Sequence, residues 1–221
     1  MLGNGPDPSV TWKGDGFNNQ DGCGDCTKAG EAHFYDALTW DEDLNESKHH
    51  PSGNQVVEAY FAETGGVDSG LTLFGVLSSN YAKGAYGQKI SAYGLLPSGY
   101  NAQQLKQVVS SFGVAYIGIE CPESAENQAN ENVTWTVVPG SPIVGGHCII
   151  IVGYDDAESV YYIVSWGELY RATYAFIEKY MDESWAVLAP AIATKGEFDK
   201  VDFATLEADL KQIAPSTDAP V

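Results

Sequence analysis

The sequence predicts an α+β fold, with a helical N-terminal half followed by a C-terminal half built mainly of strands. Three observations carry this reading. Apolar residues recur at helical spacing between Cys26 and about Ser110, β-branched and aromatic runs dominate after Phe112, and the two patterns do not interleave. Regular alternation of strands and helices would point instead to a parallel, doubly wound sheet. A chain of 221 residues can bury one sizeable core, divided into two lobes around a cleft.

Residues 1–19 are rich in Gly, Pro, Asn and Asp and predict an irregular segment. From Cys26 to about Leu38, Ala29, Ala32, Phe34, Ala37 and Leu38 fall near helical spacing, with no proline until Pro51. A second helix fits Asn54 to about Glu63, where Val56, Val57, Tyr60 and Phe61 share a face. A third fits Leu71 to Tyr81 after the turn-like run 64–70, and a fourth fits Ala102 to Ser110 with Leu105, Val108 and Val109 inward. Strands are predicted at Val114–Ile119, Val133–Val138, His147–Val152, Val160–Trp166 and Trp185–Leu188, with a short helix at Tyr174–Met181. An amphipathic helix fits Phe203 to Ile213, and the last residues have the composition of a disordered tail. The expected organisation is a domain over 20–195, with a helical lobe at about 20–111 and an antiparallel sheet lobe at about 112–195. A C-terminal helix and tail follow over 196–221.

The composition is that of a folded protein, at 44% hydrophobic and 19% charged residues. No stretch approaches the ~20 consecutive apolar residues that span a bilayer. Thirty acidic residues against 11 basic ones give a formal charge of −19. That balance argues against a nucleic-acid partner, which needs clustered Lys and Arg, and disfavours anionic membranes. It suits a basic partner or simply keeps the protein soluble. The N-terminus shows no basic n-region or apolar h-region, so an intracellular location is expected. The four cysteines, Cys23, Cys26, Cys121 and Cys148, are too few for a disulfide scaffold and are expected as thiols.

The chemistry concentrates in Gln20-Asp21-Gly22-Cys23-Gly24-Asp25-Cys26-Thr27, just before the first predicted helix. A cysteine at a helix N-terminus faces unsatisfied N–H groups and the positive end of the dipole, which favour its thiolate. Gly22 and Gly24 let the backbone turn so that the sulfur and its own N–H face one pocket. A thiolate nucleophile needs a base, and His147 stands at the start of the most apolar strand, behind Gly145-Gly146. His49 and His50 lie in a polar loop. His33 is two turns from Cys26 on the same helix, roughly 10 Å away by helix rise. That is too far for direct proton transfer, and a packing or capping role is expected of it.

These segments resemble the papain-like cysteine peptidases, whose nucleophile motif reads Gln-x-x-Cys-Gly-x-Cys and whose base sits in a His-(apolar)-Val-Gly-Tyr strand. Gln20 stands where that family has its oxyanion glutamine, and Gly153-Tyr154 closes the histidine strand. Ser165-Trp166-Gly167 resembles the Asn-Ser-Trp-Gly segment that orients the family's histidine. Gly65-Gly66 falls near the family's substrate-binding glycine pair. The resemblance implies a papain-like fold with the active-site cleft between the lobes, and no cofactor or metal. It further implies that Cys26 attacks an acyl carbonyl of a peptide or protein substrate. Cys26 N–H and Gln20 would stabilise the oxyanion, and His147 would act as base and then acid.

Three departures qualify that expectation. Val164 replaces the orienting Asn, which leaves Ser165, a backbone carbonyl or an unassisted Cys–His dyad, with Trp166 as a shield. Thr27 replaces the aromatic residue after the nucleophile. Cys23 occupies a position that is usually disulfide-bonded, yet no cysteine occurs near 64–70 to pair with it. No pro-segment is recognisable either. A thioredoxin-type reading of Cys23-x-x-Cys26 lacks the preceding strand. A zinc site of Cys23, Cys26, His147 and Cys148 asks adjacent strand residues to face one way. The remaining alternative is a catalytically weakened papain-like module acting as a structural or binding subunit, for instance in a viral particle.

Overall fold

The first helix, α1 (Cys26–Thr39), begins where the carbonyl of Asp25 accepts hydrogen bonds from Lys28 N–H at 2.8 Å and Ala29 N–H at 3.0 Å. The computed structural model describes residues 23–41, 46–47, 51–190 and 203–213. Gln20, the segment 1–19, His49, His50 and the end of the chain lie outside the described residues. Nearly every side chain of α1 is buried, including Lys28, Glu31, His33 and Asp36, so this is a central helix and not a surface one.

A two-residue pair, β1 (Trp40–Asp41) and β2 (Glu46–Ser47), follows it. Helix α2 (Gly53–Thr64) opens on a capping box, in which Ser52 and Gln55 satisfy each other's backbone N–H groups. It closes on Gly65 in the left-handed conformation. Helix α3 (Leu73–Lys83) is capped by Thr72, and α4 (Ala102–Phe112) by Asn101, whose side chain accepts from two backbone N–H groups. All four helices predicted in this half are present, with ends within three residues of those expected.

A six-stranded sheet is built from β4 (Ala115–Pro122), β5 (Ile143–Asp155), β6 (Val160–Ser165), β7 (Glu168–Thr173) and β8 (Met181–Leu188) of the second half. They are joined by β3 (Ala92–Leu95), which falls between α3 and α4 and so departs from the expected all-helical first lobe. The order is β3-β8-β4-β5-β6-β7, with every neighbouring pair antiparallel. Helices α5 (Glu123–Asn130) and α6 (Tyr174–Tyr180) sit in its connections, and α7 (Phe203–Ile213) packs on α4. The fold is therefore the expected α+β arrangement.

One predicted strand is corrected. Residues 133–138 form no strand; Trp135 alone makes a parallel bridge to Ala172 on β7. Trp135 is fully buried while Val133 and Val138 are exposed, so a single aromatic anchor replaces a ladder. Strands β3 and β7 and helix α5 were not predicted.

Gly30 sets the distance between the two halves. A Cβ at this position would lie 2.8 Å from Cys148 Sγ on β5 and 3.0 Å from the Tyr116 ring on β4. Tyr116 also donates a hydrogen bond from its hydroxyl to the Thr27 carbonyl at 2.7 Å. The start of α1 is thereby held flat against β4 and β5, which brings Cys26 beside the N-terminal half of β5.

Candidate active site

A cavity of about 180 Å³ opens between the start of α1 and the sheet. Cys26, His147, Ser165 and Trp166 all line it, as do Cys23, Cys121 and Cys148. Four sequence-predicted site residues thus meet in one place, although more than a hundred positions separate Cys26 from His147. Gly65 and Gly66 do not line the cavity; both take positive φ, 69° and 84°, in the turn that ends α2. Two residues further on, Asp68 accepts a hydrogen bond from Gly24 N–H at 3.0 Å and another from the Tyr60 hydroxyl at 2.5 Å. The loop after α2 therefore braces the turn that presents Cys26.

His147 projects from β5 opposite Ile119 of β4. Its Nε2 lies 2.7 Å from Ser165 Oγ, and its ring stacks on Trp166 at 4.7 Å between centroids and 20° between planes. Trp166 and Gly167 form the two-residue turn between β6 and β7, with φ of 49° and 73°. Positive φ is strained for a bulky side chain. The stack on His147 and a second contact with buried Trp135, at 5.5 Å, hold Trp166 there. Val164 is buried and belongs to the core. The partner of His147 is therefore its neighbour Ser165, one of the alternatives left open by the sequence.

The electrostatics differ from expectation. Burial pushes the Cys26 thiol above its ordinary value. The backbone N–H groups of Cys148 and Thr27 pull it down, while the charge of Asp25 pushes it up. The helix N-terminus was expected to make a thiolate, but desolvation outweighs it. His147 keeps part of its surface exposed, yet protein crowds its ring and lowers its pKa from 6.5 to about 4. Both shifts favour the neutral forms, a thiol beside an uncharged imidazole, over the expected thiolate and imidazolium. Among the described residues no hydrogen bond joins Cys26 directly to His147.

Other side chains complete the cavity. His33 is buried and lines it, as do Val144, Gly145 and Gly146 of β5. Cys148 turns toward Gly30 and Tyr116, away from the His147–Trp166 stack. Among the described residues no group of three His, Cys, Asp or Glu is placed to hold a metal, and no helix is long and apolar enough to cross a membrane. Sequence reasoning missed Cys121 and Glu126, which line the far side. Neither lies in a motif, and α5 carries too few apolar residues to be seen as a helix.

No protein-family model and no curated protein sequence matches the chain. Solved structures do. Xylellain, a cysteine protease from Xylella fastidiosa, superposes with a TM-score of 0.60 at 15% identity, over 81% of this chain and 84% of that one. A structure determined to explain limited antibody cross-reactivity between the mite allergens Blo t 1 and Der p 1 gives 0.52 at 14% identity, over 85% and 71%. The architecture is that of cysteine proteases. The chain has the papain-like fold. At such identities the likeness is one of fold, and the chemistry has to come from the site itself.

Proposed function

We propose that the protein is a papain-like cysteine peptidase or amide hydrolase acting through Cys26 with His147 as base. The observation that carries this reading is the meeting of Cys26, at the first turn of a buried helix, with His147 held by Ser165 in one cavity. In the resting state both groups are neutral, so the imidazole takes the thiol proton as sulfur attacks the substrate carbonyl. A C–S bond forms and the carbonyl π electrons move to oxygen. The oxyanion is stabilised by the Cys26 N–H and, on the sequence resemblance, by the Gln20 amide. His147 returns the proton to the departing amine as the C–N bond breaks. It then removes a proton from water, which hydrolyses the thioester and regenerates the thiol.

A second reading, a papain-like module that binds without turnover, is favoured by one observation. The Cys26 thiol is raised by burial and makes no direct hydrogen bond to His147. The two readings separate when a complex peptide mixture is incubated with wild type, Cys26→Ala and His147→Ala, and new N-termini are read by mass spectrometry. The enzyme reading expects cleavage in wild type alone, and a Gln20→Ala variant slowed by roughly ten- to a thousandfold. Equal products from wild type and Cys26→Ala, or none from any of them, would leave the binding module.

A further inference from the structure

The cavity beside Cys26 is lined by two carboxylates that acyl transfer does not use, buried Asp25 next to the nucleophile and solvent-exposed Glu126, far from it in sequence. Glu126 lies on α5, just beyond the end of β4, and lines the same cavity as Cys26 and His147. Among the described residues no basic side chain pairs with it. Lys28, Lys83, Lys106 and Arg171 are committed to other acids, and Lys89 and Lys179 to a carbonyl and a tyrosine ring. Among the described residues the cavity lining contains neither Lys nor Arg. The charge of Glu126 reaches into the site, since it adds to the burial that pushes the Cys121 thiol up to about 12.

The neighbouring wall suits a long side chain with a charged tip. Gly145 and Gly146 present open backbone, with nothing within 4 Å of where a Cβ would be. β6 pairs with β5 only from Ile150 onward, so the 143–149 stretch has no strand on that side. Val144, half exposed, supplies apolar surface for a methylene stem.

From this placement we infer that Glu126 is a specificity-determining residue, selecting substrates with a Lys or Arg side chain next to the bond under attack. The inference rests on the hydrolase reading above and names its substrate class. An ion pair at a partly solvated rim contributes modestly, so the preference is a few-fold and salt-sensitive.

The test uses acyloxymethyl ketone peptide probes and matching fluorogenic amides, with Lys, norleucine or Glu scanned through the positions flanking the reactive carbonyl. Wild type, Glu126→Gln and Glu126→Lys are compared at low and high salt. We expect Lys over norleucine by about two- to fivefold at one position in wild type. Glu126→Gln abolishes that preference, Glu126→Lys turns it toward Glu, and high salt weakens it. Equal ranking in wild type and Glu126→Gln overturns the role of Glu126 while leaving the hydrolase intact. If no probe labels Cys26 in wild type, the hydrolase reading falls and takes this inference with it.

Discussion

His147 Nε2 and Ser165 Oγ lie 2.7 Å apart, with the Trp166 ring stacked over the imidazole. In a neutral imidazole the nitrogen that donates fixes which nitrogen is left as base. With the proton on Nε2 and shared with Ser165, Nδ1 keeps the lone pair that a thiol proton needs. Ser165→Ala should therefore lower kcat/KM by about ten- to a hundredfold while the fold persists. The ¹⁵N shifts of His147 should show a mixed tautomer population in the variant. Unchanged shifts and an unchanged rate would remove Ser165 from the site.

The pH dependence follows from the same ring. Burial holds His147 near pKa 4 in the folded state, below its ordinary 6.5. A base that is harder to protonate when folded contributes stability above pH 6.5, which is lost as pH falls through about 4. Unfolding free energy should fall between those limits, and the fall should be smaller in His147→Gln. The acid limb of kcat/KM should lie near pH 4, because the base must be unprotonated. Cys26 differs in sign. Its raised thiol should alkylate slowly at neutral pH and faster only as pH rises beyond the ordinary cysteine range. A fast, pH-independent alkylation below pH 7 would contradict a neutral resting pair.

Helices with a one-sided apolar stripe could be read from the sequence, and so could the apolar strands β4, β5, β6 and β8. The strands that escaped are those whose partners define them. β3 is four residues with an internal glycine, and β7, Glu-Leu-Tyr-Arg-Ala-Thr, is an edge strand that faces mixed surroundings. Residues 133–138 alternate as a strand should, yet only Trp135 makes a strand bridge, while Val133 and Thr136 bond to Gln128. The site was legible to the extent that Cys26 and His147 sit in local patterns. What the sequence concealed was desolvation, because the protonation of a thiol at a helix start depends on what the fold stacks around it.

A buried polar network supports the nucleophile helix. Asn80 donates to Glu31 Oε1 at 2.6 Å, and its Oδ1 accepts from the Tyr35 hydroxyl and the Ile90 N–H, each at 3.0 Å. Glu31 also pairs with Lys28, which reaches Glu63 at 3.2 Å. Asn80→Leu keeps the γ-branched shape, though with a bulkier end, and strands a carboxylate oxygen, a hydroxyl and an amide, at a cost of about 2–4 kcal/mol. Glu31 already titrates above the usual carboxylate range because of burial, so its folded state favours the proton. Losing the Asn80 bond strengthens that bias. The defect should therefore be largest at neutral pH and shrink as pH falls below the range in which Glu31 ionises. Chemical denaturation at pH 7 and pH 4.5 reads the difference; an equal loss at both would mean that Glu31 is not part of it.

Gly30→Ala tests whether the approach of α1 to the sheet sets the geometry of the site. The added methyl would meet Cys148 Sγ at 2.8 Å and the Tyr116 ring at 3.0 Å, both buried and unable to swing into solvent. Relief requires α1 to move away from β5, and overpacking of this kind costs about 1–3 kcal/mol. The same movement carries Cys26, one turn earlier on α1, away from His147. The variant should lose turnover out of proportion to stability: folded by circular dichroism, with a lower melting temperature, and slower by about tenfold or more. Cys148→Ala in the same chain removes the sulfur that the methyl strikes and should restore both properties in part. If Gly30→Ala melts lower but turns over normally, the helix–sheet distance stabilises the fold without setting the Cys26–His147 geometry.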